Sequence, residues 1–190
     1  AGVSHDLRTP LARLRLSLEL LPEDNELVDD MVRDIEDMDA ILDQFLAFIR
    51  DGRAQPQEEL DLNELIREVA APLNQSEERV RLCLEPLPPM RLRRVSIKRL
   101  LANLMENALR HGGSGVEVCA SLSGGEAAPY VVLSVLDRGP GIDPAELADI
   151  FTPFIRGDRA RSSKGTGLGL AIVKRIAVQH GGSVELRNRS

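Results

Sequence analysis

The sequence predicts an α+β chain in two parts: a helical hairpin over residues 1–50, joined by a linker at 51–61 to a two-layer α/β sandwich over 62–190. Three observations carry this. Charge is divided unevenly: residues 1–50 hold 12 acids and 5 bases, net −7, whereas residues 51–190 hold 18 acids and 19 bases, net +1. Apolar residues of the first part recur at alternating spacings of three and four, the period of helices that pack lengthwise. The second part mixes period-two and helical segments, with glycine-bearing loops after one strand and before the last helix.

In the first part, Leu7, Leu11, Leu14, Leu18 and Leu21 form one apolar stripe. Pro22 interrupts that helix, and Glu23, Asp24 and Asn25 supply turn and N-cap chemistry. Val28, Met31, Ile35, Met38, Leu42, Phe45 and Ile49 make the stripe of a second helix, with Asp29, Asp30, Asp34, Glu36, Asp37 and Asp43 elsewhere on its surface. Two such helices bury too little to stand alone. The hairpin is therefore expected to pair with a second copy as half of a homodimeric four-helix bundle, the alternative being packing against its own chain.

Gly52 and Pro56 mark the linker. Asp61 can cap a helix through Leu62, Leu65, Ile66 and Val69, with Pro72 at or just past its end. Val80, Leu82 and Leu84 alternate with Arg81 and Cys83 as a strand; Pro86, Pro88 and Pro89 stop it, and Met90 to Arg94 can form another. From Val95 to about His111, Ile97, Leu100, Leu101, Leu104, Met105 and Ala108 mark a buried helical stripe. Strands are expected at 115–122 and 130–137, then a short helix from Pro144, a helix from about Leu168 to His180, and a strand beginning at Val184 to Leu186. The result is a layer of helices on one face of a sheet.

Composition excludes several classes. With 43% hydrophobic and 28% charged residues the 190-residue chain is globular rather than disordered or fibrous. A net charge of −6 and the lack of a basic, aromatic-studded stripe argue against nucleic acid as a partner. Cys83 and Cys119 fit neither a disulfide framework nor zinc-ligand spacing, and are expected in the core of a protein kept reduced. No apolar run approaches the roughly 20 residues that span a bilayer, so this stretch is expected to make no direct membrane contact.

Four constellations carry chemistry. In Ser4-His5-Asp6-Leu7-Arg8-Thr9-Pro10, His5 and Thr9 fall one turn apart on the outward face and Asp6 adjoins His5, while Pro10 deprives the Asp6 carbonyl of its helical partner. An exposed imidazole beside a carboxylate can accept a phosphoryl group, although taken alone an exposed histidine is more often plain surface. Asn103 and Asn107 share a helix face, so their amide oxygens can hold a hydrated Mg2+ bridging phosphates, or simply be solvated; Arg110 and His111 can add phosphate contacts from the next turn. Asp137-Arg138-Gly139-Pro140-Gly141-Ile142 ends an apolar strand, where a carboxylate can accept from an exocyclic amine and the glycines admit a ligand closely; a plain turn is the other reading. Gly165-Thr166-Gly167-Leu168-Gly169-Leu170 opens the last helix, whose free N–H groups favour phosphate. It lacks the P-loop ending, and no strand precedes it as a dinucleotide fold requires. Between the last two, Phe151-Thr152-Pro153-Phe154 and the basic run through Arg156, Arg159, Arg161 and Lys164 suit a lid over phosphates.

Together these residues resemble the transmitter region of sensor histidine kinases of two-component systems. His5 to Pro10 is similar to the H-box, Asn103 to Gly112 to the N-box, Asp137 to Gly141 to the G1-box, Phe151 to Phe154 to the F-box and Gly165 to Leu170 to the G2-box, five motifs in the family's order. The resemblance implies that 62–190 has the fold of the histidine-kinase and Hsp90-like ATPases. It further implies that ATP lies under a lid at 152–164, with adenine read by Asp137, Mg2+ held by Asn107, and phosphates cradled around Gly165, Gly167 and Gly169. His5 would take the γ-phosphoryl group while Asp6 orients the ring and takes its proton; the group would then pass to an aspartate on a response regulator, of the OmpR type. Thr9 would align a water for the reverse, phosphatase reaction. The gyrase, Hsp90 and MutL ATPases place a glutamate four residues before the magnesium-binding asparagine; here that place is Asn103, which cannot serve as a base. A non-catalytic dimerisation and nucleotide-binding scaffold is the rival from another class. By the same resemblance the 190 residues are the cytoplasmic portion of an inner-membrane sensor, cut at both ends.

Overall fold

A computed structural model describes residues 56–112, 115–125, 128–155 and 167–188, together with helical positions between 11 and 42. The chain divides into two compact units, Ala1–Asp51 and Gly52–Ser190. Among the described residues no helix is long and apolar enough to cross a membrane.

In the first unit Leu11, Leu18 and Ile35 are buried together, with Val28, Val32 and Leu42 packed against them. Leu11 and Leu18, and Val28, Ile35 and Leu42, recur at intervals of seven, with Val32 one turn after Val28. The intervening stripe positions Leu14, Met31 and Met38 are more than half exposed, at 53%, 51% and 54%. The sequence put both sets on one buried face; within a single chain only one set finds partners, because two helices facing each other cover one seam and leave the other open. The turn at 22–25 and the stripe residues Leu7, Leu21, Phe45 and Ile49 lie outside the described residues.

The second unit begins with β1 (Glu58–Leu60), which pairs antiparallel with β3 (Met90–Leu92). This strand lies within the 51–61 segment expected as linker. Its three residues, Glu58-Glu59-Leu60, carry no alternating pattern, and pairing with β3 is what makes them a strand. α1 (Leu62–Ala70) starts where expected: the Asp61 carboxylate accepts from the N–H groups of Asn63 and Glu64 at 2.7 and 3.3 Å, a cap worth about 1 kcal/mol. A 3-10 turn (Ala71–Asn74) follows, and the Asn74 amide fixes the entry to β2 (Val80–Leu84). It accepts from the Arg79 and Val80 N–H groups at 3.0 and 2.9 Å and donates to the Val80 carbonyl at 2.8 Å.

α2 (Arg94–Gly112) crosses from β3 to β4 (Val116–Ser123), which pairs in parallel with β2 and antiparallel with β5 (Tyr130–Leu136). Val116, Val118 and Ala120 alternate as the fully buried face of β4, beneath α2. α1 packs on β2 and on α2, and α4 (Gly169–Gln179) packs on α2; a short α3 (Pro144–Leu147) follows the β5 loop. The predicted stripe of α2 is buried at Ile97, Leu100, Leu101, Met105 and Ala108. His180 ties the end of α4 to the start of α2. Its Nε2 accepts the Arg93 N–H at 3.2 Å, which leaves Nδ1 as the protonated nitrogen against the Ile176 carbonyl at 2.8 Å.

Two expectations are corrected. Cys83 is exposed and Cys119 half-buried, because their strand positions face solvent and the helices cover the alternate residues. No strand forms at 184–186. Instead the Asn188 side chain accepts from the Ile142 N–H at 2.8 Å and donates to the Ile142 carbonyl at 2.7 Å. An amide side chain offers the same donor and acceptor as a peptide group, so the contact that a ladder would make is made by a side chain.

An ion cluster joins α1 to α2: Glu68 accepts from Lys98 at 2.7 Å and from Arg94 at 2.9 Å. The Lys98 hydrogen bond, above all, holds the Glu68 carboxyl below its ordinary value. A depressed carboxyl stabilises the fold above its unfolded pKa and ceases to as pH falls through the folded value. Glu68→Gln should therefore lower the Tm near neutrality slightly and leave it unchanged once acid has protonated the wild-type carboxyl. Thermal melts of both chains across that range check this.

Candidate functional site

Three close approaches bring the sequence motifs of the second unit together around α2. At its C-terminal end, the β5 exit loop lies against the helix. A Cβ placed on Gly112 would collide with Asp137 Cβ and stand 2.9 Å from its Oδ1, and one on Gly139 would stand 2.7 Å from the His111 carbonyl oxygen. The Gly139 N–H in turn donates to Asp137 Oδ1 at 2.8 Å, a bond that closes the turn and fixes the carboxylate. Among the described residues the other Asp137 oxygen has no hydrogen-bond donor. Gly141, at φ +75, carries the loop on to Ile142, whose main chain Asn188 grips as described.

The second approach joins α2 to α4. A Cβ on Gly169 would come within 3.0 Å of Asn103 Oδ1, while the Asn103 amide donates to the Arg99 carbonyl one turn back at 2.8 Å. Asn103 thus serves the helix contact, and Asn107, four residues on, is half-buried on the same face. Arg110 and His111 are exposed at the end of α2. Leu168 is wholly buried at the head of α4, and among the described residues no side chain caps this helix, so its first-turn N–H groups can serve another acceptor.

The third approach sets residues 151–155 against the start of α4. The Phe154 N–H donates to the Gly167 carbonyl at 3.1 Å, and Gly167, at φ +69, passes so near the Phe154 and Ile155 main chain that a Cβ would stand 2.9 Å from the Ile155 oxygen. Phe151 docks on α4, with Lys174 Nζ 5.7 Å from its ring centroid. Phe154 is exposed at φ +66. Residues 154–155 and Gly167 thus lie side by side.

The structure gathers Asn103, Asn107, Arg110, His111, Asp137, Gly139, Gly141, Ile142, Phe154, Gly167, Leu168, Gly169 and Leu170 on three neighbouring segments. His5, Asp6, Thr9, Arg156, Lys164, Gly165 and Thr166 lie outside the described residues. Sequence reasoning missed Asn188 and Lys174, for which no local pattern exists. It placed Gly112 at the end of the asparagine motif without giving it a role. A Gly112→Ala chain should lose roughly 1–3 kcal/mol of stability, because its methyl meets the Asp137 Cβ, Cγ and Oδ1, the near end of a side chain that the Gly139 hydrogen bond holds in place; denaturant melts with an unchanged m-value check it.

Comparison with known proteins gives concordant matches. Residues 93–190 match the family described as "Histidine kinase-, DNA gyrase B-, and HSP90-like ATPase", and residues 1–53 match the "His Kinase A (phospho-acceptor) domain". The sensor histidine kinase GtrS of Pseudomonas aeruginosa is 37% identical over all 190 residues, which span 38% of that protein's length. The NMR structure of the histidine kinase domain of the Escherichia coli osmosensor EnvZ is 38% identical, with a TM-score of 0.54, covering 73% of this chain and 84% of that one. The crystal structure of full-length ShkA in complex with AMPPNP is 28% identical, with a TM-score of 0.69, covering 95% of this chain and 40% of that one.

Proposed function

This chain belongs to the sensor histidine kinases of two-component systems, and from that premise we propose that it transfers the γ-phosphoryl group of ATP to its own His5 and on to a response-regulator aspartate. The observation that carries the proposal is the arrangement around α2. A carboxylate with one oxygen committed to Gly139 stands beside a helix bearing Asn107, and the uncapped start of α4 packs on that same helix.

The residues fit ATP. Asp137 can accept from the adenine amine, and Gly112 and Gly139 let the loop and the end of α2 approach closely enough to hold that carboxylate in place. The α4 N-terminus, with Gly165 and Gly167, offers N–H groups to phosphate, Arg110, Arg156 and Lys164 supply positive charge, and His111 can add a further phosphate contact. Asn107 would hold Mg2+ through its amide oxygen, and the ion, when bound, neutralises phosphate charge. The AMPPNP bound by the related ShkA is an ATP analogue, in keeping with this assignment.

On the other unit, a ring nitrogen of His5 attacks the γ-phosphorus, the bond to the ADP oxygen breaks, and Asp6 orients the imidazole and takes its proton. An aspartate of the regulator's receiver domain, of the OmpR type, then takes the phosphoryl group. Thr9 aligns water for the reverse hydrolysis. Direct ATP hydrolysis should be weak, because Asn103 is an amide engaged with Arg99 and Gly169 and cannot act as a base. The open seam of Leu14, Met31 and Met38 supports a homodimer in which two hairpins close a four-helix bundle.

The test is to incubate the chain with γ-labelled ATP and map the label. An acid-labile, base-stable label on the peptide containing His5 is expected. Label on a hydroxyl residue, or none in a chain that binds ATP, overturns the proposal.

A further inference from the structure

The solvent face of the three-stranded sheet carries a feature that phosphoryl transfer does not use. In the parallel register of β2 and β4, Cys83 stands directly opposite Cys119, on the face away from the helices. Neighbouring strands run about 4.7–4.9 Å apart, within the about 4.4–6.8 Å between Cα atoms that a disulfide spans. Both side chains leave the sheet on the same side, and the two thiols are within hydrogen-bonding reach of each other. Both are free thiols. The row is completed on β5 by Ser134, and the row before it pairs Arg81 with Glu117 at 3.6 Å.

We propose that Cys83 and Cys119 form a modification site, an exposed dithiol that closes reversibly to a disulfide by exchange with a small-molecule disulfide. The exposure of the two residues orders the steps. Cys83, the exposed one, attacks as thiolate: its sulfur bonds to one sulfur of the oxidant, the oxidant's S–S bond breaks, and the first small thiolate leaves. Cys119 is half-buried. Burial, then the hydrogen bond with Cys83, then the negative charges of Cys83 and Glu117 hold its thiol above its ordinary value, so it is the slower to react. Having given its proton to solvent, its sulfur attacks Cys83, the mixed disulfide breaks, and the second small thiolate leaves. Two protein thiols are oxidised and one small disulfide is reduced to two thiols.

The closed ring would run from β2 to β4 and enclose β3 and all of α2, the helix that bears Asn103 and Asn107. A bond between directly opposed strands is geometrically constrained. Such disulfides are the easily reduced kind, which is why exchange in both directions is expected.

The experiment equilibrates the full chain with oxidised and reduced glutathione at a series of ratios, quenches with acid, and reads intact mass. Wild type should lose the mass of two hydrogens as the ratio becomes oxidising and regain it with dithiothreitol. Cys119→Ser should instead retain one glutathione on Cys83, and Cys83→Ser should take up glutathione severalfold more slowly. If wild type accumulates mixed disulfides without internal closure, forms only chain-to-chain bonds on a non-reducing gel, or stays reduced where Cys119→Ser has already reacted, the proposal is overturned.

Discussion

A chain carrying His5→Gln should take up no acid-labile phosphoryl group from ATP and yet bind the nucleotide with unchanged affinity. The reason lies in the division of the molecule. The phospho-acceptor family match covers 1–53, within or at the edge of the first compact unit, while Asn107, Asp137, Gly139, Gly167 and Gly169 all belong to the second. Removing the nucleophile deletes the covalent step and leaves every group assigned to adenine, phosphate and Mg2+ in place. Label should therefore fall to the level of a chain held without ATP, a loss on the order of a hundredfold or more. A fluorescent ATP analogue should titrate as it does with wild type. Glutamine keeps bulk and polarity at the position, so a loss of labelling together with nucleotide binding would show that the two units do not divide the work as proposed.

Asp137→Asn should do the opposite. The native carboxylate accepts from Gly139 with one oxygen, and the proposed function gives the other to the adenine amine. An asparagine has one oxygen and one NH2 group, so it can keep the turn or receive the amine but not both. With the turn kept, its NH2 meets the amine donor to donor. Hydrogen bonds to charged groups are worth about 1.5–3 kcal/mol, so ATP affinity should fall roughly 10- to 100-fold and labelling at fixed ATP should fall with it. Raising ATP should restore part of the label, which no concentration does for His5→Gln. Calorimetric titration with ATP checks the affinity; a change smaller than twofold would remove Asp137 from adenine recognition.

Gly112→Ala touches the same carboxylate from behind. Its methyl would press on Asp137 Cβ rather than on the ligand, so it couples a packing defect to the adenine contact, and its cost in stability and its cost in binding should move together.

Much of this architecture was legible in the sequence because it is local. Asp61 sits one residue before an apolar helical pattern and can only cap it; Val116, Val118 and Ala120 alternate because one face is covered; Ile97 to Ala108 follow the helix period. The strand Glu58–Leu60 was not legible, since two glutamates and a leucine acquire their conformation from β3, thirty residues away. Nor was the fate of 184–188, where an amide side chain takes a role that periodicity assigns to backbone. The cysteines mislead for a related reason. Cysteine is commonly buried, but strand parity decides which face a residue shows.

By itself the sequence determined the inventory of this histidine kinase core: an acidic hairpin with a histidine at its start, a near-neutral nucleotide unit, and motifs whose order and residue types name the chemistry. Periodicity and capping act over a few residues, and residue identity travels with the chain, so those properties need no fold to be read. The tertiary structure decided what touches what. It set Gly112 and Gly139 against Asp137 and His111, Asn103 against Gly169, Phe154 against Gly167, and Cys83 opposite Cys119. It also divided the hairpin's apolar stripe into a seam already filled and a seam left open. Each of these depends on register and crossing between segments far apart in the chain, and packing at close range, where a single methyl group is felt, fixes them only once the elements have met.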